Sequence, residues 1–211
     1  MIYQLDDEDI WFPSPANAEQ DGLLAVGGDL SSERLMLAYH WGIFPWYSDE
    51  TPILWYSPHE RFVIFPERIR VSKSMRQVLR KGIFTITFNE AFEEVIGACA
   101  TSERADQNGT WITDDMQQAY VRLHKLGFAH SVEVWSGNAL VGGLYGVAVG
   151  KVFCGESMFS RMSNASKAAL IWLCTGKRFE MIDCQFHTAH LESLGAEFIS
   201  REEYLAILQR D

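Results

Sequence analysis

The run Leu140 to Phe159 constrains the fold more than any other stretch. It reads LVGGLYGVAVGKVFCGESMF, and Lys151 and Glu156 are its only charges. Apolar residues broken by glycine over this length form a strand, a turn and a second strand, so an antiparallel hairpin sits mid-chain. A regular βαβ succession, as in a doubly wound sheet, is thereby excluded. On either side the periods change. Phe62 to Phe65 and Phe84 to Phe88 read as strands, and Ser72 to Lys81 as a helix. Asn89 is expected to cap a helix bearing Phe92, Val95, Ile96 and Cys99 at helical spacing. Thr113 caps another, with Met116, Tyr120 and Leu123 on one stripe. Further on, Ser163 to Cys174 reads as a helix, Met181 to Phe186 as a strand and Thr188 to Leu194 as a helix. A capping box, Ser200-Arg-Glu-Glu203, opens the last helix. The class is mixed α/β, of the α+β kind.

The first sixty residues differ in texture. A short helix runs from its cap at Ser31 to Gly42, followed by GIFPWYSDETPILWYSP, where aromatics are scattered among prolines. Pro58 and the charged His59-Glu-Arg61 mark a boundary, so a small N-terminal domain is expected over residues 1–60 and a larger one over 61–211. With 47% hydrophobic and 22% charged residues, disorder and coiled coil are excluded. No apolar stretch is long enough to cross a membrane. The acidic start MIYQLDDEDI is unlike a secretory leader, and Cys99, Cys154, Cys174 and Cys184 contain no CxxC pair. Both point to a cytoplasmic protein.

Charge is unevenly distributed. The net charge is −10, yet Arg68 to Lys81 holds six of the 18 cations and no acid, leaving 12 cations against 28 acids elsewhere. With Ser72 as cap, Lys73, Arg76 and Arg80 share one helix face, with Lys81 just beyond, while Met75, Val78 and Leu79 share another. Such a face is either a solvated amphipathic surface or a set of phosphate contacts.

Three polar residues stand in apolar surroundings. Asp183 and Gln185 lie two apart on the expected strand 181–186 and so share a face. They are either a structural carboxylate with its hydrogen-bond partner or a carboxylate–amide pair that orients an incoming amine. Glu156, alone in its uncharged stretch, is either a surface residue or part of the same site. Cys184, His187 and His190 lack a nearby fourth ligand, so packing and capping explain them better than zinc, and no metal is expected. GxGxxG, P-loop, HExxH and GxSxG patterns are absent.

Several blocks together resemble one family. They are GLLAVGGDLSSERLMLAYHWGIFPW, ILWYSP, GTWIT, AYVRLHKLGFAHSVEVW, LVGGLYGVAVGKVFCGESMFSRMSNASKAAL, and IDCQ followed by SLGA. Their order and spacing are similar to bacterial leucyl/phenylalanyl-tRNA–protein transferases over nearly the whole chain. The resemblance implies a small N-terminal α/β domain and a C-terminal domain like the acetyl-CoA N-acyltransferases. It implies transfer of Leu, Phe and, less readily, Met from aminoacyl-tRNA to the α-amine of proteins that begin with Arg or Lys. The product would be an N-degron, and neither metal nor cofactor would be needed. A monomer is expected.

Residue by residue, the resemblance implies that Trp46 and Trp111 hold the terminal adenosine, helped by Tyr39 and Tyr120. Leu144, Phe153, Met158, Leu173 and Ile182 would form the aminoacyl side-chain pocket. Asp183 and Gln185 would act in catalysis with Glu156 at the pocket's polar edge. Lys73, Arg76, Arg80 and Lys81 would meet the tRNA backbone. Leu144 and Leu173 stand where better-known members carry Met and Phe, which bears on the preference among Leu, Phe and Met. Two rivals follow from the residues. A CoA-dependent N-acetyltransferase would need a pyrophosphate loop of the form Q/R-x-x-G-x-G/A, and none occurs. A noncatalytic RNA-binding module would not need an apolar pocket with Glu156, Asp183 and Gln185 beside it.

Overall fold

The computed structural model describes residues 2–102 and 112–210. The N-terminal part contributes β1 (Tyr3–Leu5), β2 (Leu23–Gly27), α1 (Ser32–His40), β3 (Phe44–Pro45) and β4 (Leu54–Tyr56). These strands form a small sheet in the order β1-β2-β4-β3, in which only β1 and β2 run parallel. Then come β5 (Glu60–Ile64), α2 (Lys73–Arg80), β6 (Thr85–Phe88), α3 (Phe92–Ala100), α4 (Asp114–Lys125), β7 (Ala129–Ser136), β8 (Ala139–Val149) and β9 (Val152–Ser160). The chain finishes with α5 (Ala165–Thr175), β10 (Met181–Asp183), α6 (Ala189–Ser193), β11 (Glu197–Ser200) and α7 (Arg201–Leu208). The larger sheet has the order β11-β5-β10-β9-β8-β7-β6. The mid-chain hairpin is β8–β9, and every neighbouring pair is antiparallel except β9 and β10.

Side-chain oxygens start most helices as the sequence predicts. Ser31, Ser72, Thr113 and Ser200 accept from the backbone N–H three residues on, satisfying donors that a helix start leaves unpaired. α3 departs from expectation. Asn89 does not cap it; its φ is +64°, its Oδ1 accepts from Ser131 N at 3.0 Å, and the helix starts behind Ala91. The carboxylate of Glu133 reaches across from β7 to accept from Ala91 N at 3.4 Å, just ahead of the helix, and no side chain caps α3 itself.

The large sheet is covered on both faces. One face, with Tyr145, Val147 and Cys154, packs on α3, α4 and the N-terminal part through Tyr120, Tyr39, Phe44 and Trp55 in a single apolar cluster. The other face, with Val132, Leu144 and Phe153, packs on α5 through Ala169, Leu170 and Leu173. α2 lies outside α5, with Met75 against Ala168 and Ile171. Its apolar face is thereby buried, and Lys73, Arg76, Arg80 and Lys81 are left exposed.

Candidate active site

The site begins where two parallel strands part. β10 pairs with β9 only at Met181–Asp183 against Val152–Cys154, while β9 continues to Ser160. Cys184 N still reaches Phe62 O of β5 at 2.8 Å, and the chain then turns away at Gln185, whose φ is +61°. The expected strand over Met181–Phe186 therefore stops at Asp183, and Asp183 and Gln185 do not share a strand face. A left-handed backbone at a non-glycine residue costs about 1–2 kcal/mol and must be held by its surroundings. The gap left between the diverging strands is a cavity of about 600 Å³.

Leu144, Phe153, Met158, Leu173 and Ile182 all line this cavity, with Leu170 and Leu191 adding to its apolar wall. Their convergence depends on a bulge. Tyr145 faces Ser157 across β8–β9, but Gly146 faces Gly155, so Glu156 is an extra residue on β9. A regular strand would put Phe153 and Met158, five apart, on opposite faces; the bulge turns both into the cavity. Gly146 permits it, because a Cβ there would run into the Cys154 carbonyl.

The bulge also aims Glu156, which is 7% exposed, toward donors from three elements. Oε1 accepts from Tyr39 OH at 2.7 Å and from Gln185 Nε2 at 2.9 Å, and Oε2 accepts from Tyr120 OH at 3.2 Å. Among the described residues no cation pairs with it. Burial pushes its carboxyl up from 4.5 to about 7, against the pull of the two phenols, and the Asp183 charge adds to the rise. The phenols of Tyr39 and Tyr120 are raised as well, by burial first and then by the Glu156 charge.

Asp183 is 0% exposed and differently matched. Its two oxygens face the guanidinium of Arg61 as an ion pair, and Oδ1 also accepts from Gln185 N at 2.9 Å. The lining of the cavity includes Asp183, Gln185 and Glu156, so the three polar residues come together as the sequence suggests. Their division of labour differs: Asp183 holds Arg61 and the turn at Gln185, and Gln185 holds Glu156.

At the mouth, the half-buried Trp46 packs against Phe186 with ring centroids 4.9 Å apart, and both line the cavity. Trp111 lies outside the described residues. Tyr39 and Tyr120 do not reach the mouth. Both are buried behind Glu156, hydrogen-bonded to each other and to that carboxylate, and no ring face is left open for a base. Lys73, Arg76 and Arg80 on α2, and Lys81 at its C-terminal end, form no ion pair with a described residue and lie one helix away from the cavity wall.

Sequence reasoning missed Arg61, Leu170, Phe186 and Leu191. The last three had a signal, since each lies within or beside a quoted block. Arg61 had one only as a cation opening the apolar run Phe62–Ile64. His187 pairs with Glu192 at 3.1 Å, and no group of three or more His, Cys, Asp or Glu side chains that would hold a metal occurs among the described residues.

Residues 63–209 match the family leucyl/phenylalanyl-tRNA protein transferase, and residues 28–59 match that family's N-terminal domain. A leucyl/phenylalanyl-tRNA–protein transferase of Syntrophobacter fumaroxidans is 57% identical over 98% of this chain and 89% of its own length. One of Syntrophus aciditrophicus is 58% identical over 95% and 85%. Among solved structures, a GCN5-related N-acetyltransferase from Kribbella flavida overlaps 77% of this chain and 58% of its own, with 11% identity and a TM-score of 0.37. The chain is a transferase, and it belongs to the leucyl/phenylalanyl-tRNA protein transferase family.

Proposed function

We propose that this protein moves Leu, Phe and, less readily, Met from aminoacyl-tRNA to the α-amine of proteins beginning with Arg or Lys, so that the product is an N-degron. On this reading residues 1–60 and 61–211 act as an N-terminal and a catalytic domain, in the cytoplasm, as a monomer without a cofactor. The observation that carries it is the apolar cavity with Glu156 and Gln185 at its polar end and Trp46 at its mouth. An aliphatic or benzyl side chain suits the walls formed by Leu144, Phe153, Met158, Leu173 and Ile182. Trp46, with Trp111 as its partner, would stack the terminal adenosine, since any base offers a π-face. Lys73, Arg76, Arg80 and Lys81 would contact tRNA phosphates without reading sequence.

The chemistry asks little of the protein. The acceptor nitrogen attacks the ester carbonyl, an amide bond forms, the carbonyl–oxygen bond to the ribose breaks, and the amine proton ends on the released ribose hydroxyl. An α-amine titrates near 7.7–8.0, so freeing its lone pair at neutral pH costs roughly 1 kcal/mol. Positioning can supply most of the rest. Because Arg61 already matches Asp183, the attraction for an ammonium group falls to Glu156, with Gln185 as its neighbour at the reacting atoms. Asp183 then acts by holding Gln185.

The test incubates the protein with radiolabelled Leu-tRNA or Phe-tRNA and an Arg-initiated peptide. Label moving to the peptide supports the reading. Acetylation of the peptide from acetyl-CoA, with no label transferred, overturns it. Asp183→Ala is expected to lower turnover about 100-fold with tRNA affinity little changed. Arg76→Ala with Arg80→Ala is expected to weaken tRNA binding and flatten its salt dependence by about one unit per phosphate contact removed.

A further inference from the structure

Arg61 enters the chemistry above only as the cation that matches Asp183. It sits on β5, 2% exposed, between the two sheets. Its guanidinium grips Asp183 on one side and donates from Nη1 to Gly42 O at 2.8 Å on another. The rings of Phe44 and Tyr204 cover its faces, with Cζ 4.9 and 4.3 Å from their centroids. Gly42 ends the turn that closes α1, the helix that carries Tyr39, and Asp183 holds the N–H of Gln185. Both donors to Glu156 Oε1, Tyr39 and Gln185, are thus tied back to this one side chain from opposite directions.

We infer that Arg61 is a positioning residue, which sets the placement of Tyr39 and Gln185 about Glu156 by bridging the end of α1 to the end of β10. The inference rests on the transfer reading above for its kinetic consequence, but not for its structural one. A planar guanidinium meets a carboxylate and a carbonyl in fixed directions while stacking between rings; an ammonium offers a point charge and no plane. Lysine at this position therefore keeps the charge beside Asp183 and loses the bridge. Asp183→Asn removes the other end of the same linkage.

The experiment compares wild type with Arg61→Lys, Asp183→Asn and the double variant. In labelled-Leu transfer, Arg61→Lys is expected to lower turnover about 100-fold with KM for aminoacyl-tRNA unchanged, as for a reacting group displaced by an ångström. The double variant is expected to lose no more than the poorer single variant, because both substitutions cut one linkage. Losses that multiply overturn the inference, as does Arg61→Lys turning over like wild type.

A second readout does not depend on transfer. The Glu156 carboxyl is titrated by carbon-13 NMR in wild type and in Arg61→Lys. The groups facing it are Tyr39 from α1, Tyr120 from α4, and Asp183 and Gln185 from the end of β10. Its midpoint is expected to move upward as the Tyr39 and Gln185 hydrogen bonds loosen. An unmoved midpoint overturns the inference even if the wild type transfers nothing. A moved midpoint in a protein that transfers nothing keeps Arg61 in its positioning role and overturns the transfer reading alone.

Discussion

Glu133 on β7 and Glu156 on β9 are two buried carboxylates on one sheet, separated by β8, and neither has a cation among the described residues. Glu133 takes its donors from close by. Ser131 Oγ is two residues away, Thr87 Oγ1 donates at 2.6 Å from the directly opposed residue of β6, and Ala91 N adds the start of α3. Glu156 takes its donors from α1, α4 and the turn after β10, and one side of it borders the 600 Å³ cavity. Burial of an acid thus has two causes in one molecule. The first acid closes a local network of Ser131, Thr87 and the residue ahead of α3; the second is assembled by distant elements around the cavity. A cavity, a bulge and a left-handed turn separate the two, and the burial of the carboxylate does not.

The largest expected effect breaks this comparison if it fails. Glu156→Gln should lower kcat/KM for transfer by about 10²–10⁴-fold, or roughly 3–5 kcal/mol of barrier. Glu133→Gln should leave the folded protein's kcat/KM unchanged while costing about 1–3 kcal/mol of stability through its orphaned partners. Equal losses of activity in the two variants would erase the distinction.

Stability against pH sharpens it. The Glu156 carboxyl lies at about 7 in the fold against 4.5 ordinarily, so the folded state binds the extra proton between those values. Its contribution is fully present below pH 4.5 and is lost as pH rises through 7, amounting to about 3 kcal/mol over that window. Denaturant titrations from pH 4.5 to 8 should show that decline in wild type and Glu133→Gln, and its absence in Glu156→Gln. A slope that survives in Glu156→Gln assigns it to another group.

The parts of this contrast that were legible in sequence are the ones governed by local rules. The caps at Ser31, Ser72, Thr113 and Ser200 are short-range hydrogen bonds between a side chain and its own helix, and the β8–β9 hairpin follows from pattern alone. Most of the apolar lining residues, Leu144, Phe153, Met158, Leu170 and Ile182, fall within recognisable blocks. What was not legible depends on chain segments far apart. Nothing near Asp183 announces that Arg61, 122 positions earlier, will take its carboxylate. Nothing within β9 shows that Gly146 lets Glu156 bulge and so reverses the faces of Met158 and Phe159. Asn89 carries a local capping signal, yet its Oδ1 is taken by Ser131 N on β7 and α3 starts without a side-chain cap. The family's blocks imply adenosine contacts for Tyr39 and Tyr120, while only tertiary packing shows that their hydroxyls meet Glu156.

The smallest expected effects come from removing single donors. Tyr39→Phe deletes a hydroxyl 2.7 Å from Glu156 Oε1, and Thr87→Val deletes one 2.6 Å from Glu133 that also accepts from Trp135 Nε1 at 2.9 Å. Each should cost on the order of 1 kcal/mol of stability, the net value of one intramolecular hydrogen bond. Their second consequence differs. Tyr39 donates to the ionised form of Glu156 and holds its carboxyl down against burial, so Tyr39→Phe should move the pH midpoint of transfer upward by about one unit. Thr87→Val should leave that midpoint where it is. A shifted midpoint in Thr87→Val would draw Glu133 into the reaction, and an unshifted one in Tyr39→Phe would mean that the phenol only fills space. Either result would make the two carboxylates alike, and the bulge at Glu156 would then serve only to turn Met158 into the cavity.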